Sequence, residues 1–447
     1  MILIAYSLLV ATVLAIFLIE RFIFKTKWHS PINVFVVLIL LYVSPLTLRY
    51  IYDLPIEGNV TEYFYQLKNI YPLALVATTI SIVFFYLAYL VAPVLKITKV
   101  VINKSERLES KYLRFSLAGY FLLFLGVGIF LILSINYGGP LAVILTGYAV
   151  TEIFSANPLL GLSTSIVSTS SLFMLFAYRQ TKQKKYLINS LIIIVFTMLL
   201  LIVMARRAEI ATWGMTYLIV YCLLIKHISF KKILPLVLLG FAFLNVLGFA
   251  RQANYDSISA FNQSFEEQYN NLNQDNSGLF YTITTGQFVV PYETVPMLME
   301  KMHSSEMRYG ATLFDIGLQW IPRAFWSDKS YGNGVWYYQK YYDSSALPNE
   351  GRQFFFLAEG YLNFGILGMV LWAVLWGVFW KNIYFLVNYS KVTDMSAYIY
   401  AVYIAGMIML MPGDFVSIFV AFPKSYLIWF FLGYIISYLG RVKNYGK

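Results

Sequence analysis

The chain has 447 residues, of which 59% are hydrophobic and only 12% are charged. An ordinary soluble protein has about 25% charged residues, so this composition excludes the soluble globular class. The single cysteine, Cys222, excludes an intramolecular disulfide and argues against a thiolate metal site. The net charge of +11 does not require a nucleic acid partner, because basic loops on the cytoplasmic face of a membrane explain it.

Apolar stretches near the length of a membrane span recur along the whole sequence. A helix needs about 20 apolar residues to cross the hydrocarbon core, and a lipid-embedded backbone must satisfy its hydrogen bonds internally. We therefore expect an all-α integral membrane protein with about eleven transmembrane helices. The first stretch lacks a basic n-region and a small-residue cleavage site, so it is expected to remain as a span. The predicted spans are 2–19, 32–50, 70–95, 115–136, 159–178, 186–204, 210–225, 233–250, 355–380, 396–411 and 417–439.

The basic residues between the spans predict the orientation. Most lysines and arginines fall in alternate connections, with few acidic residues among them. The positive-inside rule makes these connections cytoplasmic, which places the N-terminus outside and the C-terminus inside. The chain then divides into an N-terminal bundle of about eight spans (1–250), one large outward-facing loop (251–354) and about three C-terminal spans (355–447).

The outward loop interrupts the apolar pattern for roughly 100 residues, far beyond the ~12–15 of an ordinary connection. It carries more carboxylates than basic residues, and its part from Gly310 to Tyr342 is rich in aromatic residues. Those aromatic residues fit either packing at the membrane interface or platforms for sugar rings. Because loops on a rigid scaffold commonly carry function, we expect the site here.

Two adjacent arginines, Arg206 and Arg207, stand at the outer end of a predicted span. Charged residues at this depth are costly unless they are paired. One interpretation is snorkelling, or a salt bridge from Arg206 to Glu209. The other is an anion site, which is favoured because two arginines leave excess charge and a guanidinium binds phosphate in bidentate fashion. The other basic residues expected to join this site are Arg251, Arg323 and Lys329.

Metal ligands are not evident on the outward side. No histidine pair or carboxylate cluster there has the spacing of a metal site, so neither a metal nor a cofactor is predicted. The turn Met411-Pro412-Gly413-Asp414 joins the last two predicted spans. Asp414 is either a turn or cap residue or part of the site lining.

Four segments of the sequence carry a resemblance to a known family: Arg206-Arg207, Gly248-Phe249-Ala250-Arg251, IPRAFWSDKS (Ile321 to Ser330) and EGYLNFGILG (Glu359 to Gly368). In this order they resemble the O-antigen and capsule repeat-unit polymerases of the Wzy type, relatives of the O-antigen ligases. The resemblance covers roughly the C-terminal half of the chain. One departure is the turn Met411–Asp414, where family members often have an Arg-Gly-Asp-like sequence. Asp328-Lys329-Ser330 also stands where the family usually has a proline-containing variant.

The resemblance implies a glycosyltransferase with a GT-C-like bundle. Such an enzyme joins oligosaccharide units carried on undecaprenyl diphosphate at the outer face of the bacterial cytoplasmic membrane. Donor and acceptor would both be lipid-linked. Membrane lipid is a further expected partner, a chain-length regulator protein is left open, and no nucleic acid is expected.

This transfer requires cations for the departing diphosphate and a base for the acceptor hydroxyl. We expect Arg206 and Arg207 to act on the diphosphate, and Glu359, at a water-exposed helix N-terminus, to be the base. Alternatively, Glu359 only favours the helix N-terminus electrostatically or pairs with an arginine, and Glu350 or Asp328 takes its place. Asn363 lies four residues on, on the same helix face, so we expect its amide to orient either the carboxylate or a sugar hydroxyl. The predicted substrate-binding residues are Arg251, Arg323, Lys329, Tyr361, Asn363, Glu350 and Asp414.

Three other classes of protein remain open. A sugar ligase of the related family would move the glycan to another acceptor, such as a lipid core. A lipid-linked glycan flippase would bind its substrate near the bilayer midplane, often between repeats, but no repeat is visible here. A receptor or assembly scaffold would leave the outward arginines without a specific role.

Overall fold

The structure is a computed structural model of the 447-residue chain. It describes residues 1–53, 61–109, 113–146, 150, 153–154, 157–204, 206–229, 231–235, 239–240, 290–321, 325–326, 332–345, 351–388 and 391–440. These residues form helices and turns with no strand among them, as the apolar pattern predicts.

The helices of six or more residues within the described ranges are numbered here in chain order. The first eight are α1 (Ile2–Leu18), α2 (Pro31–Tyr52), α3 (Thr61–Leu67), α4 (Tyr71–Val91), α5 (Lys96–Glu109), α6 (Phe115–Ser134), α7 (Pro140–Leu145) and α8 (Pro158–Thr181). The next eight are α9 (Lys184–Val203), α10 (Arg207–Leu224), α11 (Val290–Lys301), α12 (Ala311–Leu318), α13 (Asn333–Tyr341), α14 (Phe356–Asn388), α15 (Asp394–Leu410) and α16 (Phe422–Leu439).

Eight helical segments in the described part are long and apolar enough to cross a membrane. They agree with eight of the predicted spans. Two more predicted spans, 210–225 and 396–411, correspond to the shorter helices α10 and α15. The span predicted at 233–250 lies mostly outside the described residues, so the total of eleven stays a prediction.

The chain forms two compact units, each assembled from three segments that are not consecutive in the sequence. The first unit contains Met1–Leu95, Ser277–Phe385 and Gly406–Ala421. The second contains Lys96–Asn276, Leu386–Ala405 and Phe422–Lys447. The division into 1–250, 251–354 and 355–447 describes membrane topology along the chain and stays a prediction.

Aromatic side chains fill the core of the first unit. Helix α11, which belongs to the loop region in sequence, packs against α2, α3 and α4. Its Tyr292 is fully buried, and the hydroxyl pairs with that of Thr78 at 2.9 Å. Phe35 stacks on Phe85 with ring centroids 3.8 Å apart. The loop segment Val290–Lys301 is therefore built into the apolar core instead of lying outside it.

Helix α8 is the centre of the second unit, packing against α6, α9, α10 and α16. It is rich in buried serine and threonine, several of which donate hydrogen bonds to carbonyl groups of their own helix. Thr169, for example, donates to the carbonyl of Ser165 at 2.7 Å. A hydroxyl group that donates to a carbonyl of its own helix can be buried between helices without a partner from another helix. At one end, Arg179 forms an ion pair with Asp394 at 2.7 Å.

Candidate functional site

The motif EGYLNFGILG folds as a tight helical hairpin. Helix α14 is broken at Phe364 (φ −144, ψ 27) and Gly365 (φ 61, ψ −147). The conformation of Gly365 lies in a region that residues with a Cβ essentially never adopt. A Cβ on Gly368 would overlap the carbonyl oxygen of Gly360, so the two arms are in contact at these glycines. The uninterrupted helix therefore begins only after Gly365, later than the predicted span start at 355.

Glu359 lies on the first arm of this hairpin, and its side chain is 0% exposed. Its Oε2 accepts a hydrogen bond from the backbone N–H of Phe415 at 2.8 Å. Its Oε1 accepts one from Nδ2 of Asn333 at 3.4 Å. The expectation of a water-exposed carboxylate is wrong, because residues 354–360 are all buried and the first arm packs inside its unit.

Asn333 connects Glu359 to two further charged residues. Its Oδ1 accepts a hydrogen bond from Nη1 of Arg308 at 3.2 Å, and its backbone N–H donates to Oδ2 of Asp414 at 3.2 Å. The guanidinium of Arg308 lies over the ring of Trp336, 4.8 Å from its centroid, in a cation–π arrangement. We call Arg308, Asn333, Glu359 and Asp414 the carboxylate centre.

Asp414 is a cap residue that also belongs to this centre. Its Oδ1 accepts hydrogen bonds from the backbone N–H and the hydroxyl of Ser417, at 2.9 and 2.8 Å. This is the pattern of a helix cap. The turn itself is held beside the hairpin, because the backbone N–H of Phe354 donates to the carbonyl oxygen of Pro412 at 3.1 Å.

Asn363 holds the hairpin in place instead of orienting the Glu359 carboxylate. Its Oδ1 accepts the backbone N–H of Gly310 at 2.8 Å. Its Nδ2 donates to the hydroxyl of Thr312 at 2.9 Å and to the backbone carbonyl of Glu359 at 2.8 Å. Tyr361, between these two residues on the first arm, is partly exposed.

Burial and charge act in opposite directions on the ionisable groups around the centre. Burial lowers the pKa of the Arg308 guanidinium, while the nearby carboxylates of Asp315, Glu359 and Asp414 oppose that change. Burial also raises the pKa of Asp315, helped by Asp414 and opposed by Arg308. One guanidinium thus faces three carboxylates, which makes this part of the first unit acidic.

An ion pair fixes the chain just before the hairpin. Nη2 of Arg352 lies 2.7 Å from Oε2 of Glu293 on α11. The hydroxyl of Tyr342 donates to Oε1 of Glu293 at 3.0 Å, and the Arg352 guanidinium lies 4.2 Å from the Tyr342 ring centroid. Burial raises the pKa of Glu293, and Arg352 opposes this rise. These contacts attach the segment that enters the hairpin to the core.

Arg206 and Arg207 lie in the second unit, at the start of α10. Arg206 precedes the helix and forms an ion pair with Glu209, one of the two interpretations of the sequence. Its guanidinium also lies 4.8 Å from the ring centroid of Phe154. Arg207 is the first residue of α10 and is partly exposed. Because Glu209 offsets its charge, Arg206 attracts an anion less strongly than an arginine without an acidic neighbour would.

The other predicted site residues lie outside the described residues: Arg251, Arg323, Lys329, Glu350 and Asp328. Their roles stay predictions. Within the described ranges, no group of three or more histidine, cysteine, aspartate or glutamate side chains could hold a metal ion.

A family model describing the O-antigen polysaccharide polymerase Wzy matches residues 1–444. The chain belongs to this family. The Wzy match includes the N-terminal spans, which the four sequence motifs did not cover. No curated protein and no solved structure matches the chain. Membership of the Wzy family supports a role in O-antigen polymerisation, carried out by a multi-pass membrane protein.

Proposed function

We propose that this chain polymerises oligosaccharide repeat units carried on undecaprenyl diphosphate, at the outer face of the bacterial cytoplasmic membrane. The Wzy family match supports the polymerising role. The observation that carries the chemistry is the buried carboxylate of Glu359, held through both oxygens by Phe415 and Asn333. A general base must sit at a fixed position within reach of the proton it removes.

The transfer exchanges one bond to the anomeric carbon for another. The bond from the growing chain to its diphosphate oxygen breaks, and the lipid diphosphate leaves with the electron pair. The acceptor hydroxyl oxygen forms the new glycosidic bond, and Glu359 takes its proton. An ionised carboxylate has about four lone-pair sites, and the bonds from Phe415 and Asn333 use two of them. The side chains of Thr312 and Trp372 lie close to the same carboxylate, so the acceptor hydroxyl would have to displace one of them.

Arg308 has a supporting role in this proposal. Glu359, Asp414 and Asp315 would repel one another if they were ionised without a cation nearby. The guanidinium of Arg308 offsets this repulsion, and its bond to Asn333 fixes the amide that in turn donates to Glu359. The base is thereby oriented through a chain of two hydrogen bonds.

The departing diphosphate is assigned to Arg207, together with the predicted contacts from Arg251, Arg323 and Lys329. A preorganised cation stabilises charge that develops on a leaving group without the need for a metal ion. Arg206 is left out of this set because Glu209 already neutralises it.

Purified protein in lipid nanodiscs tests the function directly. Supplied with lipid-linked repeat units alone, it should produce a ladder of lipid-linked products that grow by one unit at a time. Transfer that occurs only when a lipid-core acceptor is added would identify a ligase instead. Movement of the substrate across a bilayer without a new glycosidic bond would identify a flippase.

Cysteine labelling tests the proposed topology. In a Cys222→Ser background, a cysteine at Asn271 should react with an impermeant maleimide added from outside, and one at Asn103 should not. A protected Asn271 site combined with a reactive Asn103 site would reverse the orientation and contradict an outward-facing reaction.

A further inference from the structure

The Arg206–Glu209 ion pair leaves one donor and one acceptor unused. Nη2 of Arg206 contacts Oε1 of Glu209. Nη1 of Arg206 and Oε2 of Glu209 are buried and have no hydrogen-bond partner among the described residues. Buried polar atoms without partners cost free energy, and in native proteins they commonly mark the position of a water or ligand.

An aromatic and a hydroxyl side chain lie beside the pair, and we call this candidate binding site the pocket. The ring of Phe154 lies against the face of the guanidinium, 4.8 Å from its central carbon. The hydroxyl of Thr164 on α8 lies beside the Glu209 carboxylate. Because that hydroxyl donates to the carbonyl of Gly161 at 3.1 Å, its oxygen remains able to accept a hydrogen bond. The side chains of Arg206 and Glu209 are 22% and 13% exposed, so the pair lies near the surface of its unit.

Unpartnered polar atoms continue inward from the pair along one face of α10. Trp213 and Thr216 follow Glu209 at intervals of four and three residues, which places all three on the same side of the helix. Both are 0% exposed, and Nε1 of Trp213 and Oγ1 of Thr216 have no partner in the described part of the chain. On the adjacent helix α8, Oγ of Ser168 is likewise buried and unpartnered within the described residues. The pocket thus lies at the less buried end of a polar face of α10.

We propose that Arg206 and Glu209 bind a hydroxyl group, which accepts a hydrogen bond from Nη1 and donates one to Oε2. A hydroxyl oxygen can do both at once. An anion would be repelled by Glu209 and a cation by Arg206, whereas a neutral hydroxyl meets neither repulsion. The role of Arg206 therefore differs from the diphosphate contact expected from the sequence.

The hydroxyl comes either from the glycan or from an ordered water. The glycan source rests on the proposed function, in which a sugar hydroxyl must be positioned for transfer. The water source does not depend on it, because buried waters bridge unsatisfied polar groups in proteins of every function. Both sources present a hydroxyl group that can donate and accept a hydrogen bond, and the experiment below distinguishes them.

Hydroxyl-radical footprinting of the full chain in lipid nanodiscs can test this pocket. The readout is oxidation of Phe154, Trp213 and Tyr426, whose ring lies 5.1 Å from that of Trp213. The probes are the free repeat-unit oligosaccharide, released from its lipid, and inorganic pyrophosphate. We expect these buried rings to be oxidised without a probe, which requires water beside them. Protection by the oligosaccharide identifies the glycan source, and unchanged oxidation identifies water alone.

Variants distinguish a hydroxyl site from an anion site. Glu209→Ala should raise the oligosaccharide concentration needed for protection by about 10- to 100-fold, since a hydrogen bond to a charged group is lost. Glu209→Gln preserves the shape of the side chain and should create protection by pyrophosphate, because the repelling charge is gone. Asp53→Asn, which breaks the exposed Lys68–Asp53 pair, is the matched control and should change nothing.

Two results would overturn the inference. Pyrophosphate that protects the wild-type protein would show an anion site. If the rings of Phe154, Trp213 and Tyr426 are not oxidised, with or without either probe, the pocket is dry. Neither result depends on turnover: oligosaccharide protection without polymerisation would contradict the proposed function alone, and polymerisation with a dry pocket would contradict this inference alone.

Discussion

The carboxylate of Glu359 accepts the backbone N–H of Phe415 at 2.8 Å, across 56 positions of sequence. Phe415 directly follows Asp414, so this bond joins the hairpin motif to the turn at Met411–Asp414. The sequence shows these as two separate features near the ends of two predicted spans. In the folded chain they form one centre, and Asn333 bonds to both carboxylates.

Replacing Glu359 by Gln tests the base. The amide oxygen can still accept the N–H of Phe415, and only the longer bond from Asn333, at 3.4 Å, loses its acceptor. The fold should therefore be preserved, but the side chain can no longer take a proton. We expect turnover of lipid-linked repeat units to fall by roughly 10²–10⁴-fold. Glu306→Gln, in the partly exposed pair with Lys340, is the control and should polymerise normally. Wild-type turnover in Glu359→Gln would make this carboxylate structural.

The contact between the arms of the hairpin predicts a strong effect of a single methyl group. In Gly368→Ala the new Cβ would overlap the carbonyl of Gly360, and both atoms belong to the backbone. We expect a lower midpoint of thermal unfolding and loss of long-chain product, because the first arm carries Glu359. Gly128→Ala is the matched control, since a Cβ there meets nothing within 4 Å. Equal stability of the two variants would exclude a close crossing.

The sequence predicts the helical spans well because each depends on local composition. Apolar length alone identifies the eight candidate spans of the described residues, since the bilayer sets that length. The hairpin is a different case. Its glycines are visible in EGYLNFGILG, but apolar length does not show that Phe364 and Gly365 leave the helical region.

The partners of the carboxylate centre could not be predicted in this way. Arg308 and Asn333 have no spacing relation to Glu359, because their contacts arise from tertiary pairing across the loop region. The one local signal is the pair of glycines around Asn333. Gly332 has a φ of 98, and a Cβ on Gly334 would overlap the carbonyl oxygen of Arg352.

The raised pKa of Asp315 predicts a pH-dependent stability. Burial makes this carboxyl easier to protonate in the folded chain than in the unfolded chain, whose value lies near 3.8. Its contribution to folding is therefore fully present below that value and is lost as pH rises through the folded pKa. Asp315→Asn should match the wild-type unfolding midpoint at about pH 4 and exceed it at about pH 7. A constant difference between the two proteins across this range would contradict the pKa shift.

Arg207 provides the test of the diphosphate assignment. Arg207→Ala should give normal protein levels but no long-chain glycan, while Arg207→Lys should restore it only in part, because lysine lacks the bidentate fork. The measurement is the length distribution of surface polysaccharide in cells that lack the wild-type chain. Lys68→Gln, at the exposed pair with Asp53, controls for loss of a positive charge. Full-length glycan from Arg207→Ala would remove this residue from the site.

The ion pair of Arg352 and Glu293 predicts that the contribution of each side chain to stability depends on the other. Glu293 is 2% exposed in its side chain and Arg352 is 15% exposed, so removal of either partner leaves a buried charge uncompensated. Breaking such a pair costs roughly 3–5 kcal/mol, whereas a more exposed pair contributes about 1 kcal/mol or less. Glu293→Gln and Arg352→Gln should each lower the unfolding midpoint in detergent strongly. The double variant should lose less than the sum of the two, because no unpaired charge remains. Strictly additive losses would show that the two side chains stabilise the first unit independently.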